Sequence, residues 1–223
     1  MPPTLKIEDA VAVVDLGDDE NRFSIDWLST VESILDDVLE SEAQCLITIG
    51  TGKFYSNGLD LEWLMTHSDQ LASYSQRVQE LIGRILVFPI PTIAALPGHA
   101  FGAGAMLALA HDFRVMRQDR GFFCLPEVDI RIPFTPGMTA LILSKVTPQT
   151  ATYTMTTGRR VGGTEAESLG IVDRTSSEAN LLSDAFELAL PLKGKDRPTL
   201  GAIKESMYAT VVAALSSKTR ASL

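Results

Sequence analysis

Short apolar runs recur along this chain up to about residue 172, and helical stretches separate them. Val11-Ala12-Val13-Val14, Cys45-Leu46-Ile47-Thr48-Ile49, Thr92-Ile93-Ala94-Ala95-Leu96 and Phe113-Arg114-Val115-Met116 each read as a short strand. The Cys45–Ile49 run is apolar enough to suit a strand buried on both faces. The intervening segments carry the helical period. Leu28, Val31, Leu35 and Val38 share one face of residues 26–40, and Tyr74, Val78, Leu81, Ile82 and Ile85 share one face of residues 71–86. Pro89 and Pro91 stop the second helix before the next strand. Strand alternating with helix predicts an α/β class.

The remaining segments fit that frame. Residues 4–16 read as two short strands turning at Glu8-Asp9, and residues 17–21 as a polar loop. Residues 53–60 read as a loop rich in turn formers, and residues 102–110 as a buried helix of small and apolar residues. Further strands are expected at Phe122-Phe123-Cys124 and Ile171-Val172-Asp173. Helices are expected over residues 138–145, from Thr147-Pro148 with threonine as N-cap, and from Thr164 to a stop at Gly170. Residues 178–190 and 198–215 read as helical. The chain thus divides into a core of residues 1–175 and a helical C-terminal region of residues 176–223.

Composition narrows the function classes. A formal net charge of -9 argues against a nucleic-acid binder or an anionic-membrane binder. No run approaches the roughly 18 apolar residues that span a bilayer. The start, Met1-Pro2-Pro3-Thr4, has no basic region followed by an apolar core, so the cytoplasm is the expected location. The ending Ala221-Ser222-Leu223 is only loosely similar to a peroxisomal Ser-Lys-Leu signal. The two cysteines, Cys45 and Cys124, read as buried free thiols, and no metal-ligand spacing occurs.

Three stretches carry chemistry. Phe54-Tyr55-Ser56-Asn57-Gly58-Leu59-Asp60-Leu61 follows a buried strand; Gly58 permits an unusual backbone conformation, and Asp60 suits a helix cap. Pro97-Gly98-His99-Ala100-Phe101-Gly102-Ala103-Gly104 is a small-residue turn opening a helix, where backbone amides are free donors. Glu127 stands in an apolar run after Pro126, where ionisation is costly and the carboxyl is a candidate base. Taken singly, each has an ordinary reading: a strand-to-helix loop, a tight packing position, a salt-bridged surface acid.

Together, in this order, they resemble the enoyl-CoA hydratase/isomerase family, or crotonase superfamily. Asp112, Pro126-Glu127, Ile132-Pro133, Gly137, Thr157-Gly158-Arg159-Arg160, Ala166-Glu167 and Leu169-Gly170-Ile171-Val172-Asp173 continue the resemblance. It implies a spiral of ββα units and assembly as a homotrimer or homohexamer. It also implies an acyl-CoA thioester bound between the two glycine-containing segments, with no separate cofactor. By position, the N–H groups of Leu59 and Ala103 would form an oxyanion hole. Ser56, Asn57, Gly58, Asp60 and Gly102 would border CoA and substrate.

One departure directs the reaction. Hydratases of the family are built around two glutamates, and this chain has Met106 at the first position and Glu127 at the second. Water addition needs two proton-handling groups. One carboxylate suits the shift of a 3-enoyl-CoA double bond to trans-2-enoyl-CoA, in which a single base carries a proton from C2 to C4. The chain resembles the single-glutamate isomerase branch, which acts in fatty-acid metabolism. Hydratase, dehalogenase, decarboxylase or thioesterase activity, or acyl-CoA binding without catalysis, are the alternatives.

Other side chains have lesser expected roles. Asp129 would share the side of Glu127 if the segment were extended, though a cap or ion pair is the simpler reading. His99 is expected to be structural or substrate-lining, and His67 and His111 show no ligand spacing. Arg131, Phe134 and Thr135 replace residues that are small or glycine-rich in many relatives, and are expected to reshape the acyl cavity. The C-terminal lid is expected to be reduced or supplied by a neighbouring subunit. Lys204 and Lys218 are expected to be solvated, with a CoA phosphate as their alternative contact.

Overall fold

The computed structural model describes residues 1–217. Its strands are β1 Thr4–Glu8, β2 Val11–Asp15, β3 Cys45–Ile49, β4 Phe54–Ser56, β5 Thr92–Leu96, β6 His99–Phe101, β7 Phe113–Arg117, β8 Phe123–Cys124 and β9 Arg174–Ser176. The helices are α1 Ile25–Glu40, α2 Leu61–Thr66, α3 Leu71–Leu86, α4 Ala103–Ala110, α5 Glu127–Ile130, α6 Pro136–Lys145, α7 Pro148–Thr157, α8 Gly163–Ser168, α9 Leu181–Ala189, α10 Arg197–Met207 and α11 Ala209–Ser216.

The apolar runs form one sheet in the order β1-β2-β3-β5-β7-β9. The β1–β2 hairpin is antiparallel, and every later pairing is parallel. Alternate side chains of β3 and β5 enter different cores, as a period of two requires. Leu46, Ala94 and Leu96 join the core shared with α1, α3 and α4, while Cys45, Ile47, Ile93 and Ala95 pack with Leu181, Ala185 and Ala189 of α9. Burial on both faces explains why these strands carry no polar alternation.

A second, parallel sheet has the order β4-β6-β8. Each long strand β3, β5 and β7 feeds one of its short strands, and a helix follows each time. This repeated ββα path is the spiral that the resemblance implied.

Several local expectations need correction. The loop of residues 53–60 contains β4, and the turn before Gly102 contains β6. Leu61–Thr66 is a helix that the pattern did not announce; Asp60 caps it by accepting from the Trp63 N–H at 3.1 Å. Residues 171–173 are not a strand. The Asp173 carboxylate instead accepts the Arg114 backbone N–H at 2.7 Å, and β9 begins one residue later. The last helical stretch is interrupted at Tyr208, which closes α10 and leads into α11.

Lys204 is buried rather than solvated. Its ammonium donates to Phe88 O, Ile90 O and the Asp112 carboxylate, fixing α10 to the core. Lys218 and the ending Ala221-Ser222-Leu223 lie outside the described residues. Helix α11 packs back on α3 and α6 of its own chain. Gly137 makes room for it, since a β-carbon there would stand 2.7 Å from the Leu215 α-carbon. Among the described residues no helix is long and apolar enough to cross a membrane.

Candidate active site

The site starts from two chain reversals that touch. After β4 the backbone turns through Gly58, whose φ of 77° is one that L side chains rarely adopt. After β6 it turns through Gly102, φ 52° and ψ -123°, into α4. A β-carbon on Gly58 would lie 2.8 Å from Phe101 O and 2.9 Å from Ala103 N. One on Gly104 would lie 2.4 Å from Ser56 O. Glycine at these positions lets the end of β4 and the first turn of α4 pack backbone to backbone.

That packing brings the Leu59 and Ala103 amides into one neighbourhood. Ala103 opens α4, so its N–H has no intrahelical acceptor. The Leu59 N–H likewise has no acceptor among the described residues, whereas its neighbours are engaged. Gly58 N donates to Ser56 Oγ at 3.0 Å, and Asp60 N donates to Tyr74 Oη at 2.9 Å. Two unclaimed donors beside a glycine-lined gap are the chemistry needed to hold a developing oxyanion.

The side chains once grouped as substrate-bordering divide into roles. Ser56 is fully buried, and its hydroxyl donates to Asn21 O at 2.7 Å while accepting from Gly58. Asn57 leans on Glu20 through its side-chain amide, at 3.1 Å. Asp60 caps α2. These three hold the loop; the surface they leave at the gap is backbone. Two supports escaped the sequence reading. Asn21, with φ of 47°, donates to Gly17 O, Phe54 O and Tyr55 O from a buried position. Tyr74 donates to Phe23 O at 2.9 Å while receiving Asp60 N. The signal for Asn21 was its tolerance of left-handed backbone at the end of a polar loop. Tyr74 looked like any other core position of α3.

Glu127 opens α5, a single turn that follows β8 closely. One carboxylate oxygen faces Gly102: a β-carbon there would lie 3.5 Å from Oε1. The other, Oε2, is buried with no hydrogen-bond partner. The residue is 8% exposed, and burial raises its pKa from the usual carboxylate range to about 7. It lines a cavity of about 480 Å³ with Val128, Arg131, Ile132, Pro133, Phe134, Thr139 and Met155. Thr139 and Met155 reach it from α6 and α7, a contribution no local pattern signalled.

Other acids and bases stand apart. The helical turn of α5 sends Asp129 away from Glu127; it is exposed and turned toward Gly158. Met106 is 1% exposed within the core, as expected for a packing methionine. His99 stacks among Phe54, Phe101 and Phe122. Burial, then Lys53, Arg160 and Arg120, lowers its pKa, and it does not line the cavity. His111 is wholly buried; its Nδ1–H donates to Leu107 O and its Nε2 accepts from the Thr48 hydroxyl, with burial driving its pKa down to about 3. Cys45 and Cys124 are buried free thiols.

The sequence matches the enoyl-CoA hydratase/isomerase family over residues 6–222. The chain belongs to that family. Among curated relatives, it is 34% identical over 217 residues to "Enoyl-CoA delta isomerase 2, peroxisomal" of Arabidopsis thaliana, covering 92% of this chain and 90% of that one. It is 37% identical over 170 residues to "Enoyl-CoA delta isomerase 3" of the same plant, covering 73% and 71%. A crystal structure of a probable enoyl-CoA hydratase from Mycobacterium tuberculosis superposes with a TM-score of 0.90 at 22% identity, over 96% of this chain and 92% of that one. This last likeness concerns the fold of the family.

Proposed function

We propose that this protein is an enoyl-CoA isomerase that converts 3-enoyl-CoA to trans-2-enoyl-CoA. One observation carries the reading: among the described residues Glu127 is the only carboxyl lining the cavity, and it sits buried beside Gly102 with its Oε2 unpartnered. Met106 leaves no second carboxyl on the facing helix for activating water. The names of the two plant relatives agree.

The proposed reaction is a 1,3-proton transfer. Glu127, ionised, removes a proton from C2 of the thioester. Negative charge moves to the thioester oxygen, where the Leu59 and Ala103 N–H groups hold it. Amides of this kind contribute about 2.7–4 kcal/mol each to a comparable transition state. The dienolate then takes the proton back at C4 from the same carboxyl, and the bond ends conjugated with the carbonyl. A pKa near 7 suits both halves, because the group must accept and return a proton at neutral pH. Ser56, Asn57 and Asp60 shape the loop on which CoA lies, Gly58 and Gly102 give its thioester access to the amides, and no cofactor is called for beyond the CoA of the substrate. Assembly as a homotrimer or homohexamer belongs to the same reading, and light scattering tests it.

The experiment is incubation with 3-enoyl-CoAs of several chain lengths, following the absorbance of the conjugated product, with Glu127→Gln in parallel. Turnover that depends on Glu127 is the expected result. Absence of turnover with every chain length would sink the proposal, and undiminished activity in the variant would remove Glu127 as the base.

A further inference from the structure

The cavity beside Glu127 contains one other charged side chain. Val128, Ile132, Pro133, Phe134 and Met155 are apolar, Thr139 is neutral, and Arg131 brings a guanidinium. Arg131 ends α5 with φ of 60° and ψ of 33°, a left-handed conformation unusual for a side-chain-bearing residue. Such outliers concentrate where side-chain placement matters to function.

Arg131 is exposed, and among the described residues its guanidinium has no counter-charge. Among the described residues Arg131 makes no ion pair and no side-chain hydrogen bond. Asp129, two positions earlier, turns its carboxylate to Gly158 instead. Glu127 does not serve either: among the described residues it makes no ion pair, and its Oε2 has no hydrogen-bond partner. The two side chains line one largely apolar cavity without pairing.

That separation constrains the ligand. In the acyl-CoA reading, on which this inference rests, the thioester oxygen lies at Leu59 and Ala103 and the reacting carbons lie at Glu127. The acyl chain beyond C4 then continues along the apolar lining, and a plain hydrocarbon end would leave the exposed arginine to water alone. We propose that Arg131 is a specificity residue that selects enoyl-CoA esters whose acyl chain ends in a carboxylate. The planar guanidinium receives a carboxylate through two parallel N–H bonds, which a lysine cannot reproduce.

Binding tests this independently of turnover. Saturated acyl-CoA and ω-carboxyacyl-CoA of equal chain length, which cannot isomerise, are titrated calorimetrically into the wild type, Arg131→Met and Arg131→Lys, with free CoA as a third ligand. The wild type should bind the carboxylated ester about tenfold or more tightly than the plain one. In Arg131→Met the two affinities should converge, and Arg131→Lys should keep part of the difference. Should Arg131→Met fail to fold, Arg131→Gly accepts the same backbone angles and reads the same ratio. Equal affinities in the wild type, or a preference that survives in Arg131→Met, would overturn the proposal. So would an equal weakening of free CoA, which would assign Arg131 to a CoA phosphate. A retained, Arg131-dependent preference in a protein that turns over no 3-enoyl-CoA would support this inference while ending the isomerase reading.

Discussion

A β-carbon on Gly58 would stand 2.9 Å from the amide nitrogen of Ala103. Residues separated by two helices and two strands thus meet with no room for a methyl group. The gap that glycine leaves is bordered by both proposed oxyanion donors.

Gly58→Ala should therefore damage activity and stability together. The methyl group would press on Phe101 O, at 2.8 Å, and Ala103 N, and alanine disfavours φ of 77°. Pushing one donor away should lower kcat by about 10²–10³-fold. Backbone strain should cost about 1–3 kcal/mol in chemical denaturation. Normal kcat in a folded variant would place the oxyanion elsewhere.

Glu127 sets the pH dependence of the proposed reaction. Its pKa of about 7 means that the ionised base is the minority form in acid. In the free enzyme kcat/KM should rise tenfold per pH unit below about 7 and level off above it. Glu127→Gln should lose about 10²–10⁴-fold in kcat, the usual worth of a positioned acid or base. The profile is read from initial rates between pH 5 and 9, about two units either side of the expected inflection. A flat profile would mean that another group carries the proton.

The same burial predicts a stability effect of opposite sense. The folded pKa lies above the unfolded value of 4.5, so between 4.5 and about 7 the native state holds the extra proton. Stability attributable to this group falls as pH rises through that window. Above it, the charged carboxyl costs the fold about 3 kcal/mol. Glu127→Gln removes that cost. Its gain over the wild type should be largest at pH 8 and small near pH 4.5, in paired denaturant titrations. A gain that is the same at both pH values would contradict the linkage.

What the sequence revealed, and what it hid, follows from the range of the interactions. Strands β3 and β5 and helix α3 agree with the residues read for them, because their burial is written in local periodicity. Strands β4 and β6 are three residues long and have no period of their own; pairing makes them strands, whereas β8 falls within the Phe122-Phe123-Cys124 run read as one. Glu127 was visible as a lone acid among apolar neighbours, and Leu59 and Ala103 through the family resemblance. The turn of α5 was not visible, and with it went the relation of Asp129 to Glu127. Lys204 was misjudged for the clearest reason. Its acidic partner lies 92 positions away, and nothing around a lysine on an amphipathic helix announces a distant carboxylate.

Lys204 also makes the last prediction. Its ammonium, 5% exposed, joins the Asp112 carboxylate and two backbone carbonyls, and Asp112 also accepts the N–H and hydroxyl of Thr92. Burial lowers the Lys204 pKa, and Asp112 opposes that shift, so the ion pair offsets desolvation. Lys204→Met would keep much of the stem's packing but leave a largely buried carboxylate without its cation. Loss of one partner from a buried pair costs about 3–5 kcal/mol. Adding Asp112→Asn should recover part of that loss, because the amide needs no counter-charge and still accepts from Thr92. A double-mutant cycle in urea would measure the coupling, and strictly additive losses would refute it. Helix α10 should detach first, so hydrogen exchange in residues 197–216 should accelerate before that of β3 and β5.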